Sequence, residues 1–534
     1  MPYETLPMID WLIVVCYLGL IAYLGRHFSK KQKSTDDYFV GDRSVPAWAI
    51  GMSVMATLIS SVTFLAYPGQ GFTGNWILLV QGLVVPVVLV AIIWFIVPMY
   101  RRVIRISAYE YFERRFGYFA RLYSSVAFIM AHFTKMGTVF YLLGLAISSM
   151  TGLNTYQIVL VIGAVTILYT LFGGIEGIIW MDVIQGFILI GGGLVCMAVL
   201  LFAPAQGPVG VMRTAWENGK MGMGPYDWDF TKLTFVVMAI NGVFYAIQKY
   251  GTDQTIIQRF LVAQSDRKAV KAALMGALLC VPMWTLFIFI GTLLWVYYRA
   301  TPASLPPDVT GDKVFPWFIM SQLPAGITGL IVAALFSAAM SSLDSDLNCL
   351  AAVGVDDYYR RFRKNATDKQ CLTLGRIIVV ACGVCSVGIA CLYVRLGGEA
   401  ILGTLFALYA IFSGGIAGIF LLGFLTVRAN RKGLNVGIAA CVLFTAYALL
   451  TSTKFDLGGP EKQQLLDLGR FNFTHHSYML GVYSHVVLFV VGYVASFLFQ
   501  AEKDTRALTF YGWMTGQDRE RGGTAEEAKE VVDA

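Results

Sequence analysis

Apolar windows of about 18 to 28 residues follow one another along the whole chain, parted by short polar stretches. Each is long enough to cross a hydrocarbon layer of about 30 Å as a helix. The length criterion predicts about thirteen spans, near 8–26, 45–67, 75–100, 122–150, 156–173, 176–203, 232–259, 270–298, 325–356, 372–395, 401–427, 432–451 and 478–500. Strands of about ten alternating residues, the mark of a membrane barrel, are not found. The expected class is therefore an all-α polytopic membrane protein with one transmembrane domain over 1–500. Residues 501–534 read as a short, mobile, charged tail.

Composition agrees. Of 534 residues, 57% are hydrophobic and 14% charged, and the mean hydropathy is +0.66. A soluble fold has no place for so much apolar surface. The net charge of +7 lies in loops such as "RHFSKKQKSTDDYFVGDR", "RRVIRISAYEYFERRFGYFAR" and "YYRRFRKNATDKQ", while the alternate loops "YPGQGFTGN" and "TGLNT" have none. The positive-inside rule then puts the N-terminus outside and the C-terminus in the cytoplasm of a bacterial-type inner membrane. "MPYETLPMID" has no basic leader, so the first window is expected to be a true span. The charge gives no sign of nucleic acid, and no obligatory protein partner is evident. Nine cysteines are scattered. Cys382 and Cys385 form a CxxC inside an apolar window, where small residues at a helix interface are the plainer reading.

The informative positions are polar residues within spans. The second span carries Ser53, Thr57, Ser60, Ser61 and Thr63 before Pro68–Gly69. The seventh is interrupted by Gln248, Lys249, Gly251, Thr252, Asp253 and Gln254. With the first span set aside, these are elements one and six of a ten-helix unit. Paired interruptions in corresponding halves point to an inverted-repeat secondary transporter, with repeats over 45–203 and 232–427 and extra helices at both ends. Element eight reads "SAAMSSLDSDLNCL" (337–350). Ser341, Asp344, Ser345 and Asn348 are three or four apart and share a face, with Ser342 and Asp346 towards one edge. Element five carries Asp182 six residues after Glu176. Carboxylates at membrane depth need partners. Hydroxyls and freed carbonyls suit a hard cation that must also leave, and a packing face of small residues is the alternative.

These stretches, with "LYTLFGGIEGIIWMDVIQ" (168–185), "TDQTIIQR" (252–259), "AAMSSLDSDLN" (338–348), "SAYEYFERRFG" (107–117) and "DDYFVGDRSVPAWAIGMSV" (36–54) in order, resemble the sodium/solute symporter family over essentially the whole chain. The resemblance implies a leucine-transporter-like fold of five plus five helices and sodium-driven uptake by alternating access, with Na+ as coupling ion and no organic cofactor. It implies a sodium site at the carbonyls of Ala56, Ile59 and Ala338 and the hydroxyls of Ser341 and Ser342. Within the family the chain looks most like the bacterial sialic acid branch. That branch implies a second sodium site at Asp182, Ser341, Asp344 and Ser345, and substrate contacts at Ser60, Thr63 and Lys135, with Gln81 beside a fourth. Lys249, a basic group at membrane depth, is a further substrate candidate from its own setting. The chain departs from the branch pattern in three places. Asp344 stands where the branch has serine. Lys135 stands where it has a carboxylate-binding arginine, and lysine cannot form the same bidentate fork. The substrate-approaching glutamine aligns near Gly82, with Gln81 beside it.

The implied cargo is a small hydroxylated solute, sialic acid or a related sugar acid, with a neutral monosaccharide as the alternative. On the alternative, Lys135 pairs with a protein carboxylate such as Asp344. Element ten, "LFALYAIFSGGIAGIF", lacks the glutamine of the sugar branch. An enzyme would need a convergent nucleophile or metal set, and no HExxH, GxSxG or Cys/His cluster occurs. His132, near Lys135, reads as a packing or hydrogen-bonded residue. A solute sensor would need an output domain longer than the tail.

Overall fold

The computed structural model describes residues 6–29, 32–301, 305–307, 309–395, 414–455, 463–500 and 505–515. Residues 396–413, which hold the first half of the expected element ten, and most of the expected tail lie outside the described residues. Among the described residues the regular structure is helical, apart from a two-residue antiparallel pairing of Lys454–Phe455 with Gln463–Gln464 and an isolated bridge between Val45 and Ala263. Among the described residues, nine helices are long and apolar enough to cross a membrane, or ten with one bent pair.

The bundle is built of α1 (Met8–Ser29), the bent pair α3 (Ala47–Leu58) and α4 (Ser61–Thr73), α5 (Leu79–Val103), α7 (Tyr118–Thr151), α8 (Thr155–Phe202), α10 (Phe235–Thr252) with α11 (Gln254–Val262), α12 (Asp266–Ala300), α14 (Ile327–Val353), α16 (Asp368–Arg395), α17 (Ile416–Leu425), α18 (Arg431–Ser452) and α19 (Ser477–Ser496), of which α10, α11 and α17 stand outside that count. Shorter helices join them: α2 (Thr35–Phe39), α6 (Tyr109–Phe116), α9 (Gly207–Glu217), α13 (Val314–Gln322), α15 (Arg360–Phe362) and a terminal α20 (Phe510–Met514). α14 continues through a π-helical turn, Gly354–Tyr359, into α15.

α8 has 48 residues, which as one rod would reach about 72 Å, more than twice the hydrocarbon thickness. It is two crossings joined at Gly174, whose φ of 57° and ψ of −174° suit a residue without Cβ. The sequence pattern predicts this division at 173–176. Side chains satisfy the carbonyls freed there: Gln32 Nε2 donates to Gly173 O at 3.2 Å and the Tyr38 hydroxyl to Thr170 O at 3.1 Å. Non-helical backbone at membrane depth is tolerated where protein meets its polar groups.

α14 lies at the centre. Its apolar window is 89% buried, against 28% for α1 and α16, which face outward. It packs on α8, α1, α7, α3 and α16. A helix buried all round presents every side chain to protein, so its polar residues divide among several neighbours. The expected single polar face is replaced by this fan.

Candidate ion and substrate site

The pair α3–α4 bends by 62°. Ile59 leaves the helix at φ −91°, ψ 96°, and Ser60 is extended. The last carbonyls of α3 therefore lose their helical donors. α14 lies alongside. Ser341 Oγ donates to Ala56 O at 2.9 Å and sits 3.5 Å from Ala338 O. Ser342 Oγ is 3.3 Å from Ala338 O and 3.0 Å from Ala339 O. Oxygens of Ala56, Ala338, Ser341 and Ser342 thus converge at the break, and Ile59 is the residue at which the backbone turns away. Such a neutral, oxygen-only set suits a hard monovalent cation. Turning the hydroxyl protons outward would offer oxygen lone pairs to it.

A second cluster lies deeper. Arg259, on α11, donates from Nη2 to Asp182 Oδ2 at 2.9 Å and to Ser345 Oγ at 2.7 Å. Its Nε reaches Ser53 Oγ at 2.7 Å and its Nη1 the Thr255 carbonyl at 2.5 Å. Ser53 Oγ donates to Asp182 Oδ2 at 2.5 Å. Asp344 is held apart from this pair by hydroxyls: Tyr169 OH donates to its Oδ2 at 3.0 Å and Ser345 Oγ to its Oδ1 at 3.3 Å. Arg259, Asp182 and Asp344 have no exposed surface. The structure therefore brings Asp182, Ser341, Asp344 and Ser345 into one neighbourhood and adds Arg259, Ser53, Thr57 and Tyr169. Sequence reading missed Arg259, although an arginine at the end of a broken span calls for a carboxylate. Glu176 lies elsewhere, its Oε1 accepting from Asp42 N at 2.9 Å.

The third group is built on Lys135, His132, Asp346, Lys249 and Asp253. Lys135 Nζ, on α7, is 3.0 Å from Asp346 Oδ1. This corrects the expected partner: it is Asp346, not Asp344, because those two residues point from α14 towards α7 and α8 respectively. His132, one turn before Lys135, lies between two carboxylates. Its Nδ1 is 2.8 Å from Asp346 Oδ1 and its Nε2 is 3.6 Å from Asp253 Oδ2. The histidine is hydrogen-bonded, as expected, packs on the Phe128 ring, and takes part in the charge array as well. Asp253 caps α11 by accepting from Thr255 N, and Lys249 Nζ meets its Oδ2 at 2.5 Å. The helix break at Asp253 does not part this lysine from its carboxylate. The Lys135 and Lys249 side chains keep 30% and 21% of their surface, so neither is sealed in the core as Asp346 is.

Ser60 and Thr63 are buried beside the first break, and among the described residues no hydrogen bond to either side chain is found. Gln81, on α5, accepts from Asn241 Nδ2 of α10 at 2.8 Å, a contact with no signal in either local stretch. At one end of the bundle a further charge group ties α6 to α7 and α15. Glu113 accepts from Arg121 at 2.8 Å and Arg361 at 2.5 Å. Burial alone would raise the Glu113 carboxyl, but these two guanidinium groups bring it below the ordinary glutamate value.

Two helix breaks, a buried polar helix between them and converging hydroxyls and carbonyls form the frame of an ion-coupled transporter. The sodium:solute symporter family model matches residues 38–440, a stretch that takes in every site residue named above. The chain belongs to the sodium:solute symporter family. It is therefore a multi-pass membrane transporter rather than an enzyme. The symporter is 32% identical to the sodium/sialic acid symporter NanT of Aliivibrio fischeri over 529 residues, 98% of this chain and 99% of that one. A solved structure of a Na+-coupled sialic acid symporter, substrate-bound and outward-open, matches at a TM-score of 0.84 and 30% identity, covering 93% of this chain and 99% of that one. Mhp1, a nucleobase-cation-symport-1 family transporter in a closed conformation, matches at 0.52 and 15% identity over 86% of this chain and 92% of that one, which shows the shared fold alone.

Proposed function

We propose that this symporter uses the sodium gradient to import a small hydroxylated acid, sialic acid or a related sugar acid, by alternating access. The observation that carries the sodium part is the meeting of Ser341 Oγ with Ala56 O at 2.9 Å where α3 breaks. Na+ would take the carbonyls of Ala56, Ile59 and Ala338 and the hydroxyls of Ser341 and Ser342. A second Na+ would lie by Asp182, Ser341, Asp344 and Ser345. The acid would sit between the breaks, with its carboxylate on Lys135, its hydroxyls on Ser60 and Thr63, and Gln81 and Lys249 on its flanks. The unpartnered hydroxyls and the two half-open lysines support this placement, as does the sialic acid specificity of the relatives.

The repeats would span 45–203 and 232–427 in a bacterial inner membrane, N-terminus outside, with lipid and solute as the only partners and no organic cofactor. One observation favours a second reading. Lys135 is already neutralised by Asp346, which would suit a neutral monosaccharide. Uptake of labelled sialic acid into proteoliposomes, under Na+ or K+ gradients and with N-acetylmannosamine as neutral competitor, separates the two. Sodium-dependent accumulation that the neutral sugar leaves intact is expected, and Lys135→Met should abolish it. Uptake of the neutral sugar alone would overturn the acidic reading.

A further inference from the structure

Asp346 is fully buried, and its two oxygens are unequal. Oδ1 receives both Lys135 Nζ at 3.0 Å and His132 Nδ1 at 2.8 Å. Oδ2 has no hydrogen-bond partner among the described residues. A buried carboxylate oxygen left bare is costly, and the more so when a neighbouring cation departs. Lys135 is the partner able to depart, since its long side chain is 30% exposed while that of His132 is 5% exposed. If Lys135 turned to a solute carboxylate, Asp346 would keep only His132.

Position on α14 supplies the replacement. Asp346 follows Ser342 by four residues, so the two share a face with Cβ atoms about 5–6 Å apart. Helical side chains lean towards the N-terminus, which carries the Asp346 carboxylate over the turn that holds Ser342. A cation on the Ser341–Ser342 hydroxyls thus stands beside a carboxylate that is otherwise neutralised by Lys135.

We propose that the Lys135–Asp346 pair is the coupling switch of the transporter: Asp346 holds Lys135 while the neighbouring sodium site is empty, and sodium beside Ser342 releases the lysine to receive the solute. Asp346 is then a positioning residue that touches neither cargo. Sodium raises the affinity for the solute by taking over a charge, and the solute raises the affinity for sodium by the same factor, as linkage requires. A coupling of this kind is typically worth about 5–150-fold in affinity. Asp253 and Lys249 form the stationary end of the array, since they neutralise each other whether or not Lys135 moves.

The inference rests on the sodium-symport reading, but its test needs no solute. Failure to bind sialic acid would therefore remove that identification and leave this measurement standing. The purified full-length protein in K+ or in rising Na+ is given a brief acetylation pulse, and acetyl-Lys135 is read by peptide mass spectrometry. In the wild type, labelling should rise at least fivefold from K+ to saturating Na+. In Asp346→Asn it should be high and equal in both salts. Ser342→Ala, with Asp346 in place, should raise the sodium concentration for half-maximal labelling about tenfold. That arm keeps the test open if Asp346→Asn does not fold. Wild-type labelling that is the same in both salts, a wild-type sodium response in Asp346→Asn, or an unshifted Ser342→Ala curve would overturn the proposal.

Discussion

Arg259→Met is the perturbation whose size the structure defines best. It removes the hydrogen bonds to Asp182, Ser345, Ser53 and the Thr255 carbonyl. Asp182 is then a carboxylate with no exposed surface, one remaining donor in Ser53, and an Oδ1 that already lacks a partner. Breaking a buried ion pair from one side costs about 3–5 kcal/mol, whereas replacing both members is often neutral. Asp182→Asn/Arg259→Met should therefore recover most of what Arg259→Met loses. Sodium adds a second signature. A bare carboxylate beside a cation site gains more from that cation than a paired one. At a hundredfold excess over its dissociation constant, a bound ion stabilises the folded state by about 2.7 kcal/mol.

The assay is thermal inactivation of purified protein in NaCl and in matched KCl, for the wild type, both single variants and the double variant. Rank order is the readout, because a protein of this size does not unfold in one step. Arg259→Met should be the least stable in KCl and the most rescued by NaCl. A double variant no more stable than Arg259→Met, or equal rescue of all four proteins by sodium, would refute the argument.

Ser342→Ala should raise the sodium concentration for half-maximal uptake about tenfold, equal to about 1.4 kcal/mol, and unchanged activation would remove this hydroxyl from the site. A cysteine placed at Arg361 should react with an impermeant maleimide only after cells are opened, and labelling of intact cells would invert the orientation. Gly174→Ala puts a Cβ where φ is 57° and Gln32 packs closely, so it should cost about 1–3 kcal/mol of backbone strain and lower the yield of folded protein at 37 °C. Wild-type yield would show that the hairpin in α8 tolerates a side chain.

The membrane helices were legible because an apolar window of about 18 to 28 residues matches the thickness of one bilayer. Against about thirteen expected spans, the described residues hold nine helices of that kind, or ten with the bent pair. The division of α8 was legible for the same reason, since no single crossing takes 48 residues. The broken helices were marked by polar residues in the middle of apolar runs. Direction around a helix was harder. Three- and four-residue spacing puts Ser341, Asp344, Ser345 and Asn348 on one side of α14, yet Asp344 meets Tyr169, Ser345 meets Arg259 and Asn348 meets Gln258. Spacing fixes which residues are neighbours on a helix, not which helix lies opposite. For the same reason the Lys135 partner was placed two residues early, and Asn241 against Gln81 left no trace in either local sequence. Arg259 was visible in "TDQTIIQR" but drew no attention as a charge. Counting each membrane-depth cation against a carboxylate would have found it.

That count still leaves something to explain. Four buried carboxylates lie around the two breaks: Asp182, Asp253, Asp344 and Asp346. Arg259 neutralises the first, Lys249 the second and Lys135 the fourth, with His132 between the second and fourth. Among the described residues Asp344 has no cation at ion-pair distance and is met by the hydroxyls of Tyr169 and Ser345. Hydroxyl donors soften the cost of a buried negative charge but do not cancel it. This supports the proposed placing of a second sodium ion beside Asp344. Ser345 Oγ accepts from Arg259, and its one proton can go either to Asp344 Oδ1 at 3.3 Å or to Ser341 O at 3.0 Å. On the proposed reading, a change of charge at either sodium site would therefore be felt at the other through the choice this serine makes. Replacing Ser345 with alanine should uncouple them, so that sodium activates uptake with a lower Hill coefficient, while an unchanged coefficient would show that the two sites fill independently.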